Sequence, residues 1–388
     1  MISVEEALAH CLALAVPLPI EPVALRHAAG RYMPHPATAL RDQPPFAASA
    51  MDGYAILGDH RPGAKFKIVG EAGAGHACAH PVGPGQAVRI FTGAPVPEGA
   101  TRVVIQEDVT AAGGWITLGA RADSAANIRP QGQDFPAGAQ LGPRLLRPND
   151  LALLAAMNVA QVPVSRRPVV AIVATGDELV VPGDSPAPDQ IIASNSYALA
   201  AMVEAAGGIA RLMPIARDRA AELRCVLEMS LDADLIVTIG GASVGDHDLV
   251  AGVSEAMGIE RSFWKIAMRP GKPLMAGHIH GKPLLGLPGN PVSAIVCGHL
   301  FLLPMLRAML GQPAPAPQTR TAVLAVDLPA NGPRAHYMRA RLSPAGITPF
   351  DRQDSALLTI LTEADALLIR PVGSGAQPAG TLADYLPL

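Results

Sequence analysis

Apolar positions along this chain change rhythm twice, and each change marks a boundary. Residues 1–16 read as an amphipathic helix, and acids stand where a secretory leader needs basic residues, so a first folded helix is expected there. From about 40 to 134, short β-like runs at 66–69, 87–91 and 102–105 alternate with glycine and proline turns. That texture predicts a compact, mostly β domain. Residues 148–157 then place a capping residue ahead of a helical apolar pattern. A short strand follows and leads to the basic joint Ser165-Arg-Arg-Pro168, where a domain boundary is expected.

Beyond that joint, continuous apolar runs at 169–174, 235–239 and 284–287 alternate with helical stretches at 194–206 and 220–230. Strands without polar alternation are buried on both faces, which predicts a parallel sheet covered by helices on each side. Ligands of such sheets bind beyond the carboxyl ends of the strands, so the residues following each strand are the first candidates for chemistry. The most hydrophobic run, 292–306, contains His299 and Pro304 and is short for a bilayer, so a buried helix is expected. A stiff proline-rich spacer at 311–318 precedes β-like runs at 321–327, 339–342 and 366–370, which predict a small C-terminal β domain.

Composition narrows the class. At 388 residues and 40.0 kDa the chain exceeds one ordinary core. With 49% hydrophobic and 16% charged residues it excludes a disordered chain. Glycine and proline, 38 of each, call for many tight turns but stay below the roughly 25–30% of low-complexity sequence. A net charge of −3 supplies no general field for nucleic acid, so an anionic ligand must meet a local basic cluster. Cys11, Cys78, Cys225 and Cys297 are far apart and form no Cys-x-x-Cys pair. Neither zinc nor a disulfide framework is suggested, and a reducing cytoplasm fits. His76-Ala-Cys78-Ala-His80 sits among glycines and prolines and reads as a solvated loop rather than a metal site.

The chemistry concentrates at three strand ends. The first strand runs into Ala174-Thr-Gly-Asp-Glu-Leu179, the second into Thr238-Ile-Gly-Gly-Ala-Ser-Val-Gly-Asp-His-Asp248, and the third into Leu287-Pro-Gly-Asn-Pro-Val-Ser293. Glycines let backbone N–H groups approach phosphate closely, and nearby carboxylates hold Mg²⁺ against it. Asn290 followed by Pro291 predicts an N-cap and a helix start that offers free N–H groups to an anion. Between these loops, Phe263-Trp-Lys-Ile-Ala-Met-Arg-Pro-Gly-Lys-Pro273 gathers Lys265, Arg269 and Lys272, cations suited to a phosphate or tetrahedral oxyanion. The residues alone therefore point to a phosphate-binding, Mg²⁺-dependent enzyme.

At these motifs the chain resembles the MoeA family of molybdopterin molybdenumtransferases, and it is similar to the E domain of gephyrin. The resemblance runs through Pro45-Phe-Ala-Ala-Ser-Ala-Met-Asp-Gly-Tyr-Ala55, Arg89-Ile-Phe-Thr-Gly-Ala-Pro95, Asn127-Ile-Arg-Pro-Gln-Gly-Gln-Asp134, the three strand-end loops and Met268-Arg-Pro-Gly-Lys-Pro273, in the same order. It implies a multidomain α/β plus β architecture. Residues 1–40 and 137–165 would form a connecting domain, with the first helix free to pack on the α/β domain instead. Residues 41–136 would form a β-rich domain, and 166–311 a MogA-like three-layer α/β/α domain with a mostly parallel sheet. Residues 319–388 would form a C-terminal β-barrel-like domain. A homodimer is implied, with each site between the α/β domain of one subunit and the first domains of the other. No nucleic acid or membrane partner is implied.

The resemblance also assigns roles. Asp52, Thr92 and Asp134 match functional positions of the β-rich domain, and Glu178, Asp218, Asp248 and Lys265 those of the α/β domain. Gly240, Gly241, Ser243, Asn290 and Pro291 are the expected contacts of the pterin substrate, with Glu178 and Asp248 holding Mg²⁺. Arg269, Lys272, Ser293, Arg339 and Ser355 match positions that hold molybdate. Two departures are visible, Ala242 where many members have valine and Arg269 where many have lysine, and neither removes a charge. The implied reaction joins molybdate to adenylylated molybdopterin and releases AMP, downstream of a molybdopterin adenylyltransferase and upstream of proteins that hand the cofactor to molybdoenzymes. The alternatives are that adenylyltransferase itself, which shares the α/β domain, and a non-catalytic pterin-binding scaffold.

Overall fold

A computed structural model describes residues 1–122, 125–240 and 249–388. The chain divides into two compact units, one made of Met1–Glu21 with Ser165–Leu388 and the other of Pro22–Val164.

The first unit is built around a six-stranded sheet in the order Ile209–Leu212, Val169–Ala174, Leu235–Ile239, Lys282–Leu287, Met275–Ile279, Glu260–Trp264. The first four strands are parallel, Met275–Ile279 runs against them, and Glu260–Trp264 pairs antiparallel to Met275–Ile279. Successive residues of the central strands face opposite layers. Leu235 and Val237 pack with Leu199, Val203 and Phe301, whereas Ile236 packs with Leu223, Leu227 and Val253. Helices Asn195–Ala205 and Pro291–Met309 thus cover one face and Ala220–Met229 and Leu249–Ala256 the other, which is why these strands carry no polar alternation. The edge strands Ile209–Leu212 and Glu260–Trp264 carry mixed, partly exposed positions, and their sequences give no comparable signal.

The first helix, Val4–Leu14, also belongs to this unit. Ser3 accepts the Glu6 N–H at 3.1 Å while the Glu6 carboxylate accepts the Ser3 N–H at 2.8 Å, a reciprocal cap. Val4, Ala7, Cys11 and Leu14 form its buried stripe and join the core around Val170 and Ile172. The helix from Pro291 runs 19 residues, long and apolar enough by length to cross a bilayer, yet it is 72% buried against that same core. A wide π turn at Gly298–Leu302 precedes Pro304, which has no N–H to return to the preceding turn.

The C-terminal segment forms a second sheet in the order Met268–Arg269, Ala335–Ser343, Ala366–Arg370, Leu382–Pro387, Arg320–Val323, with Gly346–Pro349 beside Ala335–Ser343. Its edge strand, Met268–Arg269, comes from the basic loop of the α/β part and sets Arg269 opposite His336. Tyr337, Leu367 and Leu386 reach into the α/β core, so the two parts share buried surface.

The second unit carries a six-stranded sheet in the order Arg102–Ile105, Gly53–Ile56, Gln86–Ile90, Lys65–Ala72, Trp115–Leu118, Val109–Ala112. A separate core around Met33, Leu146, Leu154 and Val162 holds the helix Pro148–Ala156 against short ribbons. Cys78 turns its sulfur against Gly70, where an added Cβ would lie 2.9 Å away, while His76 and His80 on either side of it are exposed. At the start of the helix, buried Asp150 accepts the Arg147 N–H at 2.8 Å and the guanidinium groups of Arg147 and Arg144, each at 3.1 Å. The Arg147 side chain, its backbone N–H and then Arg144 hold the Asp150 carboxyl down at about 2. Because the folded value lies below the unfolded one of 3.8, this stabilisation is complete above pH 4 and disappears as pH falls toward 2. Asp150→Ala is expected to cost about 1–3 kcal/mol at pH 7. Urea unfolding at pH 7 and pH 2.5 checks it, since the wild-type advantage should shrink at the lower pH.

Candidate functional site

The three strand ends do converge. A cavity of about 1160 Å³ opens at the carboxyl ends of Val169–Ala174, Leu235–Ile239 and Lys282–Leu287, lined among others by Glu178, Asp218, Gly240, Asn290 and Pro291. Thr175 closes the first strand end by donating its N–H to the Ile239 carbonyl at 3.0 Å. Gly176 follows at φ +145, and a Cβ there would run into the Glu178 Oε2, so the carboxylate of Glu178 lies folded directly over the glycine. Gly240, at φ +87, donates to the Leu287 carbonyl at 3.1 Å. An added Cβ at Gly240 would sit 3.0 Å from the Thr175 carbonyl oxygen, so both its dihedral and its closeness call for glycine. Gly241, Ser243 and Asp248 lie outside the described residues.

The third strand end departs from expectation in one respect. Asn290 occupies the N-cap position but its side chain does not cap. Its amide donates to the Ser355 Oγ at 3.1 Å instead, and the Ser355 carbonyl takes the Val292 N–H at 3.0 Å. The helix start therefore offers fewer free N–H groups than the Asn-Pro pair suggests, because the C-terminal sheet's loop has claimed one of them. Ala356, next along that loop, lines the cavity.

The basic residues do not join the cavity wall. Of the segment carrying Lys265, Arg269 and Lys272, only Pro273 lines it. Lys265 lies over the Trp264 ring at 5.7 Å, and Arg269 donates to the Asn331 Oδ1 at 3.0 Å beside the C-terminal sheet. There it meets an unusual concentration of positive charge. His336 is pushed down to about 4 by burial and by Arg269, Arg339, Arg370 and Arg334 around it, so it is neutral at physiological pH. Arg339 is wholly buried. Its Nη2 donates to the carbonyls of Arg352 and Asp354, but its Nε and Nη1 have no hydrogen-bond partner among the described residues. Buried guanidinium donors without acceptors are costly, and an oxyanion would satisfy them. Ser293 is buried on the first turn of the helix from Pro291, and Ser355 ties that helix start to the Arg339 loop. The cation cluster is thus linked to the cavity rim by the Asn290–Ser355 bond and by Ala356.

In the second unit, Asp52 and Thr92 are brought together. One carboxylate oxygen of Asp52 accepts both the Thr92 N–H and its hydroxyl, each at 2.7 Å. The N–H first and the hydroxyl second lower the Asp52 carboxyl below its usual range. Asp134 donates its N–H to the Gln43 carbonyl at 2.9 Å and its side chain is exposed.

Family models match three consecutive stretches: the MoeA N-terminal region (domain I and II) over residues 2–158, a probable molybdopterin binding domain over 171–308, and the MoeA C-terminal region (domain IV) over 321–388. Molybdopterin molybdenumtransferase 2 of Mycobacterium tuberculosis is 34% identical over 394 aligned positions, covering 97% of this chain and 96% of its own. The chain belongs to the MoeA family. The molybdopterin molybdenumtransferase of Bacillus subtilis is likewise 34% identical, over 94% of this chain and 89% of its own. The crystal structure of a MoeA protein from Pyrococcus horikoshii superposes with a TM-score of 0.87 at 29% identity, over 100% of this chain and 99% of that one. In this MoeA chain the two gaps between family models coincide with the basic joint after residue 164 and the proline-rich spacer.

Sequence reasoning missed several cavity residues of this MoeA chain. Arg224, the only cation among the described lining residues, sits on helix Ala220–Met229, and Asn195 donates its amide to the Gly289 carbonyl at 2.7 Å. Both lie inside helices, where periodicity reveals the buried stripe but not which exposed residue meets a cavity.

Proposed function

We propose that this chain is a molybdopterin molybdenumtransferase that joins molybdate to adenylylated molybdopterin and releases AMP, with Mg²⁺ as cofactor. The observation that carries the reading is the pairing of a carboxylate-bearing cavity at the strand ends with a neighbouring cluster of cations in which buried Arg339 has unmet donors. The names of the relatives support the same reading.

The donor set fits Mg²⁺. Among the described residues no group of three His, Cys, Asp or Glu side chains makes a metal cage of its own. Glu178 and Asp218, however, put two hard carboxylates on one cavity, and Mg²⁺ is usually shared between one or two carboxylates and substrate phosphates. Glu178 and Asp218, with Asp248, would hold it. When bound it would supply charge neutralisation to the phosphates as AMP departs. The chain's own residues do the rest. Gly240 lets backbone approach the pyrophosphate, and Asn290 and Pro291 border it. Arg339, Arg269, Lys272, Ser293 and Ser355 would hold the molybdate dianion close to the cavity, where two dithiolene thiols displace two molybdate oxygens as water with uptake of protons, and a water attacks the pyrophosphate to free AMP, without any protein nucleophile.

The proposal includes the four-domain division, a homodimer and a cytoplasmic setting. Ile191 and Ile192 remain exposed beside the cavity, which supports a covering subunit, and the four cysteines are free, which supports a reducing compartment. An adenylyltransferase would supply the substrate, and proteins that deliver cofactor to molybdoenzymes would take the product.

The test is AMP release from purified adenylylated molybdopterin. Release that requires both molybdate and Mg²⁺ is expected. Transfer of AMP from ATP to molybdopterin would indicate the adenylylating enzyme, and tight pterin binding without turnover a scaffold.

A further inference from the structure

Glu178 is exposed on a turn, and an exposed carboxylate on a free turn would sample many positions. Here the turn's carbonyls are anchored in succession. The Glu178 carbonyl accepts the Ile191 N–H at 2.7 Å and the Val180 carbonyl the Ala193 N–H at 2.9 Å. The two carbonyls that flank Glu178, those of Asp177 and Leu179, are both taken by one side-chain nitrogen, the Nη1 of Arg217, at 2.8 and 3.1 Å. The same junction is sealed by the Gly176 N–H on the Ala216 carbonyl at 3.1 Å and by the Asp218 N–H on the Asp177 carboxylate at 3.2 Å. Arg217 does not line the cavity, whereas Glu178 on one side of the clamp and Asp218 on the other both do.

We infer that Arg217 is a positioning residue for the metal-holding carboxylates: it ties the turn that presents Glu178 to the segment that presents Asp218, and so sets the spacing between them. The inference rests on the Mg²⁺ reading proposed above. Two separate loops each bearing one carboxylate make a cation site only when their relative position is held, and backbone carbonyls are the rigid handles by which a remote side chain holds it. A planar guanidinium bonds two carbonyls in a fixed geometry, and a lysine ammonium at the end of a flexible stem does so far less well.

The test uses Mn²⁺ as the probe, titrated into the full-length protein in the presence of AMP and followed by loss of the free-ion EPR signal. Wild type, Glu178→Gln, Arg217→Ala and Arg217→Lys are compared, with thermal melts of each. Arg217→Ala is expected to weaken Mn²⁺ binding by about tenfold or more, the scale of lost outer-shell support. It should raise the half-saturating Mg²⁺ in AMP release in parallel, while KM for adenylylated molybdopterin stays within about twofold of wild type. Arg217→Lys should recover part of the loss. Normal Mn²⁺ binding in a folded Arg217→Ala protein overturns the inference, as does a fall in melting temperature without any change in Mn²⁺ affinity. Should Arg217→Ala fail to fold, Arg217→Lys is judged by the same two measures. Mn²⁺ binding that is equal in wild type and Glu178→Gln overturns the metal reading itself, and is thereby told apart from failure of the clamp alone.

Discussion

On the proposed reaction, Glu178→Gln is expected to lower kcat for molybdate-dependent AMP release by roughly 10²–10³-fold, the scale on which one electrostatic contact to developing phosphate charge matters. Glutamine keeps the length and the folded-back position over Gly176, but it removes the negative charge that a divalent cation needs. The carboxylate is exposed and makes no ion pair among the described residues, so the melting temperature of the variant should be unchanged. Steady-state release at saturating Mg²⁺ is the deciding measurement. A kcat within threefold of wild type would remove Glu178 from the metal site, whatever its place on the cavity wall.

Arg339→Met should have the second large effect, and an asymmetric one. The guanidinium carries two donor atoms without partners in a wholly buried position, an arrangement that costs stability until an acceptor arrives. Methionine fills much of the volume with no donors to satisfy. The unliganded variant is therefore expected to melt no lower than wild type. If it binds as proposed, molybdate is expected to raise the wild-type melting point by mass action, worth about 2.7 kcal/mol at a hundred times Kd, and to leave the variant unmoved. In turnover the half-saturating molybdate concentration should rise by roughly 30-fold or more, equivalent to about 2 kcal/mol from lost charge-assisted hydrogen bonds. A variant that keeps its molybdate response would move the oxyanion away from Arg339. A variant that melts far below wild type in the absence of molybdate would show the guanidinium to be structural.

Site and stability pull against each other in this cation pocket. Arg269, Arg334, Arg339 and Arg370 surround a His336 whose burial and neighbours keep it neutral, so the pocket concentrates positive charge with a histidine that adds none. Hydrophobic side chains of similar size would stabilise the fold better.

Much of the α/β part could be read from the chain itself. The runs 169–174, 235–239 and 284–287 are apolar without alternation because helices lie on both sides, and that physical cause makes them visible as strands of a covered parallel sheet. The glycines at 176 and 240 were visible for a similar reason. Positive φ and close backbone approach leave few other residues possible, so Glu178 and Gly240 could be named as neighbours before any coordinates.

The tertiary structure decided what local pattern does not encode. Arg269 looks from its spacing like one member of a basic loop beside the cavity. It is instead an edge residue of the C-terminal sheet, because Met268–Arg269 pairs with Ala335–Ser343 across 67 residues of chain. Asn290 looks like an N-cap, but its side chain makes no cap bond, and its amide nitrogen donates instead to Ser355, 65 residues later. Arg217 carries no sequence signal at all, since two carbonyl partners 38 and 40 residues away leave no trace in periodicity or composition. The sequence by itself determined the layered α/β part, the strand-end loops and the residue types of the chemistry, because burial and backbone sterics act on near neighbours. Which of those residues face one another was decided only by folding, because side-chain contacts between distant segments cost chain entropy that the whole core, and no local motif, repays.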